Sequence, residues 1–207
     1  MTHRYPWPRP LSVEQDEAAD MLINGPRRGV YGPFAVLVES PEVMAPISAL
    51  GEYFRYSWNL EARVRETLIL ATAQHWASRF EWDHHHPLAL AQGVASDDVQ
   101  RISMGEAPND PDLRLAWSLV RQLLTKGGLS DITYRDLLNR WSSKQVVEMV
   151  SCVGYYSLLA VVLRADNPCA SSIGGSAEGG LANRDPGAVY RALSPGPSSE
   201  PRNSPCT

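Results

Sequence analysis

Arg63-Val64-Arg65-Glu66-Thr67-Leu68-Ile69-Leu70, followed by Phe80-Glu81-Trp82-Asp83-His84-His85-His86, is the stretch on which the reading of this chain turns; fourteen residues separate Glu66 from Glu81. Leu60, Val64, Leu68 and Ala71 recur at helical spacing and predict one buried stripe. The same helix and the next one carry two arginines, two glutamates and a run of histidines. Charge is costly to bury unless it is paired or used. The cluster therefore reads either as a buried ion-pair network or as a site for proton chemistry.

Outward from this segment, strand signals are nearly absent and helix punctuation is dense, so the expected fold class is all-α. Ser12 with Gln15 forms a capping box that opens a helix closed by Gly25-Pro26. A loop rich in glycine and proline runs from Gly25 to Pro33, a composition that fixes unusual backbone angles. Ser40-Pro41 opens a helix to about Ser57, and Asn59 caps the next, to about Ala77. Further helices are expected over about Phe80 to Gln92, from a cap at Ser96 to Met104, over Pro111 to Thr125, and over Thr133 to Trp141. A second capping box, Ser142 with Gln145, opens a helix to about Arg164. It is apolar on almost every face, as in a helix central to a domain or buried between subunits. A homo-oligomer is expected on that ground.

Domain organisation follows from composition. The chain of 207 residues is read as an N-terminal extension (1–10), one helical domain (11–165) and a disordered tail (166–207) rich in Pro, Gly and Ser. Hydrophobic residues make up 43%, enough for a real core, and the net charge of −4 argues against nucleic acid as a partner. Val146 to Leu163 comes closest to a membrane span but is interrupted by Glu148 and Ser151, so no membrane partner is expected. The N-terminus lacks the apolar core of a signal peptide, and Cys152, Cys169 and Cys206 form no CxxC. A reducing, cytoplasmic setting is the expectation.

Glu81 and His85, four apart, share a helix face, and a carboxylate beside an imidazole orients the ring as a general acid–base pair requires. The competing reading is an ordinary surface ion pair. Glu66 is either a third member of the site or a structural partner for an arginine. Arg63 and Arg65 point about 200° apart, so both cannot serve one substrate. His84-His85-His86 does not predict a metal site: successive helical side chains diverge by about 100°, and HExxH is missing. His84 and His86 are expected to face solvent. Arg27, Arg28 and Tyr31, in the Gly25–Pro33 loop, are candidates for binding an acid group, since arginine forks onto carboxylates. Trp82 and His75 complete the candidate substrate contacts.

At Arg63–Leu70, at Phe80–His85 and along the helix to Gly93, the chain resembles the carboxymuconolactone decarboxylase family, which includes the alkyl hydroperoxidase D proteins. The resemblance spans roughly residues 11 to 165 and implies an all-helical bundle assembled as a trimer or hexamer. In the hydroperoxidase branch a glutamate, a Cys-x-x-Cys pair and a histidine form the site. Carried over by spacing, the glutamate falls on Glu66, the histidine on His85, and the cysteines on Ser78 and Glu81. The proton-relay positions remain and both thiols are gone, which removes the peroxidatic nucleophile and its resolving partner.

The expected activity is accordingly a cofactor-independent decarboxylase or related lyase on a small lactone or keto acid. Glu81 and His85 would handle the proton, Glu66 would tune them, and Arg27 or Arg28 would anchor an acid group. Isomerisation, retro-aldol cleavage and dehydration of a related substrate stay open. So does a silent binding or assembly subunit, which would tie Glu66 and Glu81 up with arginines and leave no room for a ligand.

Overall fold

The computed structural model describes residue 4 and residues 10–166. Within them the chain is all-α, with no strand. The elements are α1 (Val13–Asn24), α2 (Phe34–Leu37), α3 (Pro41–Glu52), a π-helical turn (Tyr53–Ser57), α4 (Ala62–His75), α5 (Arg79–Ala91), α6 (Ser96–Ser103), α7 (Pro111–Lys126), α8 (Asp131–Arg140) and α9 (Ser143–Asp166). Apart from Asp166, which closes α9 and is buried, the expected tail lies outside the described residues, as does most of the N-terminal extension. Arg4 donates from its guanidinium to the Ala165 carbonyl at 3.1 Å.

The helix ends follow their local chemistry. Both capping boxes form: Gln15 and Gln145 donate backbone N–H to Ser12 and Ser142 Oγ, each at 3.3 Å, and their side chains accept in return. Asp110 caps α7 through Asp112 N and Leu113 N at 2.9 and 3.1 Å, and Gly127 ends it in the left-handed region. Elsewhere the sequence misjudged the boundaries. Glu61, not Asn59, stands at the cap of α4, and Ser96 is the first residue of α6 rather than its cap. The helix α8 begins two residues earlier than expected because the Ser130 hydroxyl accepts from Thr133 N at 3.2 Å. The short α2 was not foreseen.

Helix α4 is the axis of the bundle and packs against α5, α6, α7 and α9. Val64 and every residue from Glu66 to Ala73 are buried, and each of Leu68, Ile69 and Leu70 contributes about 1.5–3 kcal/mol of apolar burial. The Thr67 and Thr72 hydroxyls in this dry setting donate to the carbonyls of Arg63 and Leu68, at 2.9 and 2.7 Å, so neither is left without a partner. The predicted stripe of Leu60, Val64, Leu68 and Ala71 is buried throughout.

Helix α9 is only half enclosed. Met149, Cys152, Tyr155, Tyr156 and Leu159 face the core, while Val147, Leu158 and Val161 are 65%, 40% and 47% exposed. By length and composition this helix does meet the requirement of a membrane span, with mean hydropathy 1.9 in its most apolar window. That revises the reading in which Glu148 and Ser151 interrupted it. A core helix meets the same requirement, and one face of α9 is core.

Two features shape the region beside α5. After Glu52 the chain continues as a π-helical turn instead of the straight helix expected to Ser57. Phe54 packs edge-on against Trp58, ring centroids 5.2 Å apart, and in a tilted arrangement against Tyr155 at 5.7 Å. Glu148 of α9 accepts from the Tyr53 hydroxyl and from Trp58 Nε1, the latter at 3.0 Å, and so pins the turn onto α9. The Gly25–Pro33 loop is held equally closely. Gly32 has a φ of 58°, and a Cβ there would run into the Phe80 ring of α5.

Candidate functional site

Helices α4 and α5 bring Glu66, Glu81 and His85 together, and all three are buried, with 3%, 4% and 3% of their surface exposed. Glu81 and His85 share the inner face of α5 as their spacing predicts, and Glu66 reaches them from α4. His85 Nδ1 lies 2.7 Å from Glu66 Oε2, and Nε2 lies 3.7 Å from Glu81 Oε2. One imidazole thus stands between two carboxyl groups. The ring is held edge-on by Tyr156 and His84, at centroid distances of 5.3 and 5.0 Å. Arg65 Nε donates to the other Glu66 oxygen at 3.2 Å.

The two acids are driven in opposite directions. Burial works to raise the Glu66 carboxyl, yet the hydrogen bond and charge of His85, together with Arg65, hold it below its ordinary value. Burial raises the Glu81 carboxyl above its ordinary value, against the pull of His85, Arg27 and Arg55. Glu66 accepts from His85 Nδ1 and fixes the orientation of the ring, which turns its Nε2 edge to Glu81. Neighbouring acids whose environments push them apart are how a protein divides acid and base roles.

The Glu81 side of the imidazole opens on a cavity of about 20 Å³ lined by Arg27, Tyr31, Phe34, Arg55, Tyr155 and Tyr156 among others. That space admits roughly one water as it stands. The Glu66 side meets a larger cavity of about 110 Å³, walled by Arg55, Arg65, Ile69, Leu88 and Gln92 with Glu66 and His85 themselves.

Of the loop candidates, Arg27 and Tyr31 line the smaller cavity and Arg28 does not: it is exposed, with a φ of 62°. The Arg27 guanidinium lies over the Phe34 ring, Cζ to centroid 3.8 Å, and its Nε is buried with no hydrogen-bonding partner among the described residues. The Tyr31 hydroxyl donates to the Arg27 carbonyl at 3.2 Å. His75 and Trp82 are not brought to the site. His75 sits at the end of α4 against Trp76, and Trp82 packs on the core and against His86. His84 and His86 are half-buried instead of solvent-facing. His84 lines the smaller cavity, and burial with the nearby charges of His85 and Arg55 lowers it to about 4. It is therefore neutral near pH 7, and its Nε2 lies 3.4 Å from Arg55 Nη2.

Sequence reasoning missed Arg55, Tyr155 and Tyr156. Arg55 is the one charge in the aromatic run Tyr53–Trp58, and the two tyrosines interrupt an otherwise aliphatic helix face; those were the available signals. Burial raises Tyr155 to about 12 and Tyr156 well above its ordinary value, so both stay phenols and hydrogen-bond donors. Both arginines of the Arg-Val-Arg segment are engaged. Arg63 spans Asp110 and Asp112 at 2.6 and 3.0 Å and lines neither cavity, while Arg65 supports Glu66.

Burial raises the Cys152 thiol, against thiolate chemistry at that position. Among the described residues no group of three or more His, Cys, Asp or Glu side chains is arranged to hold a metal ion. No protein-family model, curated protein or solved structure matches the chain.

Proposed function

We propose that the chain is a cofactor-independent lyase of the carboxymuconolactone decarboxylase kind, acting on a small organic acid with Glu81 as proton donor. One observation carries this reading: His85 is held at 2.7 and 3.7 Å between two buried carboxyl groups that their surroundings drive in opposite directions, at the edge of a cavity. Decarboxylation leaves an electron pair on carbon or on a conjugated oxygen. The site must shield that pair from water, stabilise the negative charge and return a proton. Glu81 supplies the proton, His85 Nε2 stands beside it at 3.7 Å, and Glu66 keeps the ring in register. Arg27 and the Tyr155 phenol face the position where negative charge would develop.

The silent-subunit alternative requires both glutamates to be tied up by arginines. Glu66 meets that condition through Arg65, whereas Glu81 forms no ion pair with an arginine among the described residues. The imidazole of His85, 3.7 Å away, is its ion-pair-range neighbour, and this favours proton chemistry. The same parts would serve an isomerase, retro-aldolase or dehydratase. We assign the assembly to a homo-oligomer, a trimer or hexamer, with the exposed stripe of Val147, Leu158 and Val161 on α9 as contact surface, and the setting to the cytoplasm.

The test is carbon dioxide release from carboxymuconolactone and from a panel of β-keto and lactone acids, comparing wild type with Glu81→Gln. Release that falls by about 10²–10⁴-fold in the variant supports the assignment. Equal release in both places the proton donor elsewhere, and no release from any acid removes the decarboxylase reading for these substrates.

A further inference from the structure

Two guanidinium groups point at the smaller cavity, and neither has a carboxylate partner among the described residues. Arg27 rests on Phe34 with its Nε buried and without a partner. Arg55 approaches the imidazole of His84 at 3.4 Å and lies beside the Tyr31 phenol, while Arg27 lies beside the Tyr155 phenol, so the partners of both are neutral groups. Every other charged group on that wall is accounted for. Glu66 is committed to His85 and Arg65, and Glu81 is driven toward its neutral form. Half-buried positive charge without a counterion is costly, so the cavity as built has a place for negative charge facing both guanidinium groups.

The backbone around these arginines is shaped to hold them. Arg55 is carried on the π-helical turn, a distortion that recurs at functional sites. Gly51, one turn earlier, leaves the space taken by the Tyr155 hydroxyl, and a Cβ there would also lie 3.3 Å from Arg27 Nη2. Gly51 thereby lets α3, α9 and the Arg27 loop close on one point. The remaining wall is aromatic or apolar: Tyr31, Phe34, Phe80, Tyr156 and Leu159.

We infer that Arg27 and Arg55 together form the binding site for a compact dianion, a malonate-type acid with two carboxylates on one carbon and an apolar substituent toward the aromatic wall. A single carboxylate would leave one guanidinium uncompensated, and of two-carboxylate acids the most compact asks for the least opening of a cavity that admits about one water as it stands. The inference rests on the proton-transfer reading above and names its substrate class. The bond to one carboxyl carbon breaks and that group leaves as carbon dioxide. Its electron pair passes into the remaining carboxylate as an ene-diolate held by the guanidinium pair, and Glu81 gives its proton to the carbon. A dianion and one proton thus become a monoanion and carbon dioxide, and Glu81 regains its proton from solvent after product leaves. The cavity admits about one water as it stands, so the acid enters by moving its half-buried wall.

The test is calorimetric titration of the full chain with malonate, methylmalonate, acetate and succinate, followed by carbon dioxide release from the two malonates. Malonates are expected to bind at least about tenfold more tightly than acetate or succinate. Arg27→Gln and Arg55→Gln should each lower that affinity by about tenfold or more, as loss of a charge-assisted fork predicts. Arg28→Gln, outside the cavity, should leave it unchanged. Tight, arginine-dependent binding without turnover upholds the dianion site and overturns the lyase reading for these acids. Malonate binding no tighter than acetate binding, or indifferent to both arginine substitutions, overturns the dianion site whatever the activity. Should either variant fail to fold, the ratio of malonate to acetate affinity in the wild type decides.

Discussion

Glu66 and Glu81 occupy opposite edges of the same imidazole, at 2.7 Å from His85 Nδ1 and 3.7 Å from Nε2. The difference in distance matches the opposite directions in which the two carboxyl groups are driven. Glu66, also bonded to Arg65, is favoured as the carboxylate, and Glu81, buried and without an arginine in ion-pair contact, is favoured as the acid.

That asymmetry predicts how stability depends on pH. Glu81 is raised in the folded chain, so folding binds its proton, and its favourable contribution is present below the unfolded value and lost as pH rises toward the folded one. Glu66 is lowered, so its contribution is present above the unfolded value and lost as pH falls through the folded one. Glu81→Gln, which cannot ionise, should be more stable than wild type at pH 7 and gain nothing at pH 4. Urea unfolding at both pH values checks this, and an equal gain or loss at the two would contradict it.

Cys152 should be inert. Its thiol is fully buried and raised by that burial, so in a chain carrying Cys169→Ser and Cys206→Ser a neutral thiol reagent should react only on unfolding. Rapid labelling of the native protein would show a thiolate and reopen redox chemistry.

Two glycines should respond in opposite senses. At Gly51 a methyl group meets the Tyr155 hydroxyl, and Gly51→Ala should cost about 1–3 kcal/mol as overpacking does. At Gly154, exposed within α9, nothing lies within 4 Å, and Gly154→Ala should add about 0.5–1 kcal/mol by helix propensity. Thermal unfolding of the two variants reads both signs at once.

Sedimentation tests the assembly. The wild type is expected as a trimer or hexamer, and Leu158→Glu with Val161→Glu on the exposed stripe of α9 should shift it to smaller species. A monomeric wild type would remove the oligomer from the account.

The all-α class and the inward face of Glu81 and His85 were legible because both rest on local periodicity and spacing. The buried stripe of α4 and the two capping boxes were legible for the same reason. Arg55 was not, because its position depends on a π-helical turn created by long-range packing of Phe54 and by Glu148, which stands far along the chain. Arg27 and Arg28 could not be told apart from composition; the left-handed backbone at Arg28 turns one inward and the other out. The sequence alone puts His84 at the surface because the charge facing it, Arg55, lies on another element.

The central claim is that the carboxyl groups flanking His85 differ in protonation, and carbon-13 NMR of labelled glutamate, assigned through Glu66→Gln and Glu81→Gln, measures it directly. Glu81 should titrate above, and Glu66 below, the ordinary glutamate value near 4.5. Two carboxyls titrating together, or Glu66 above Glu81, would contradict the division of acid and base on which the proposed chemistry stands.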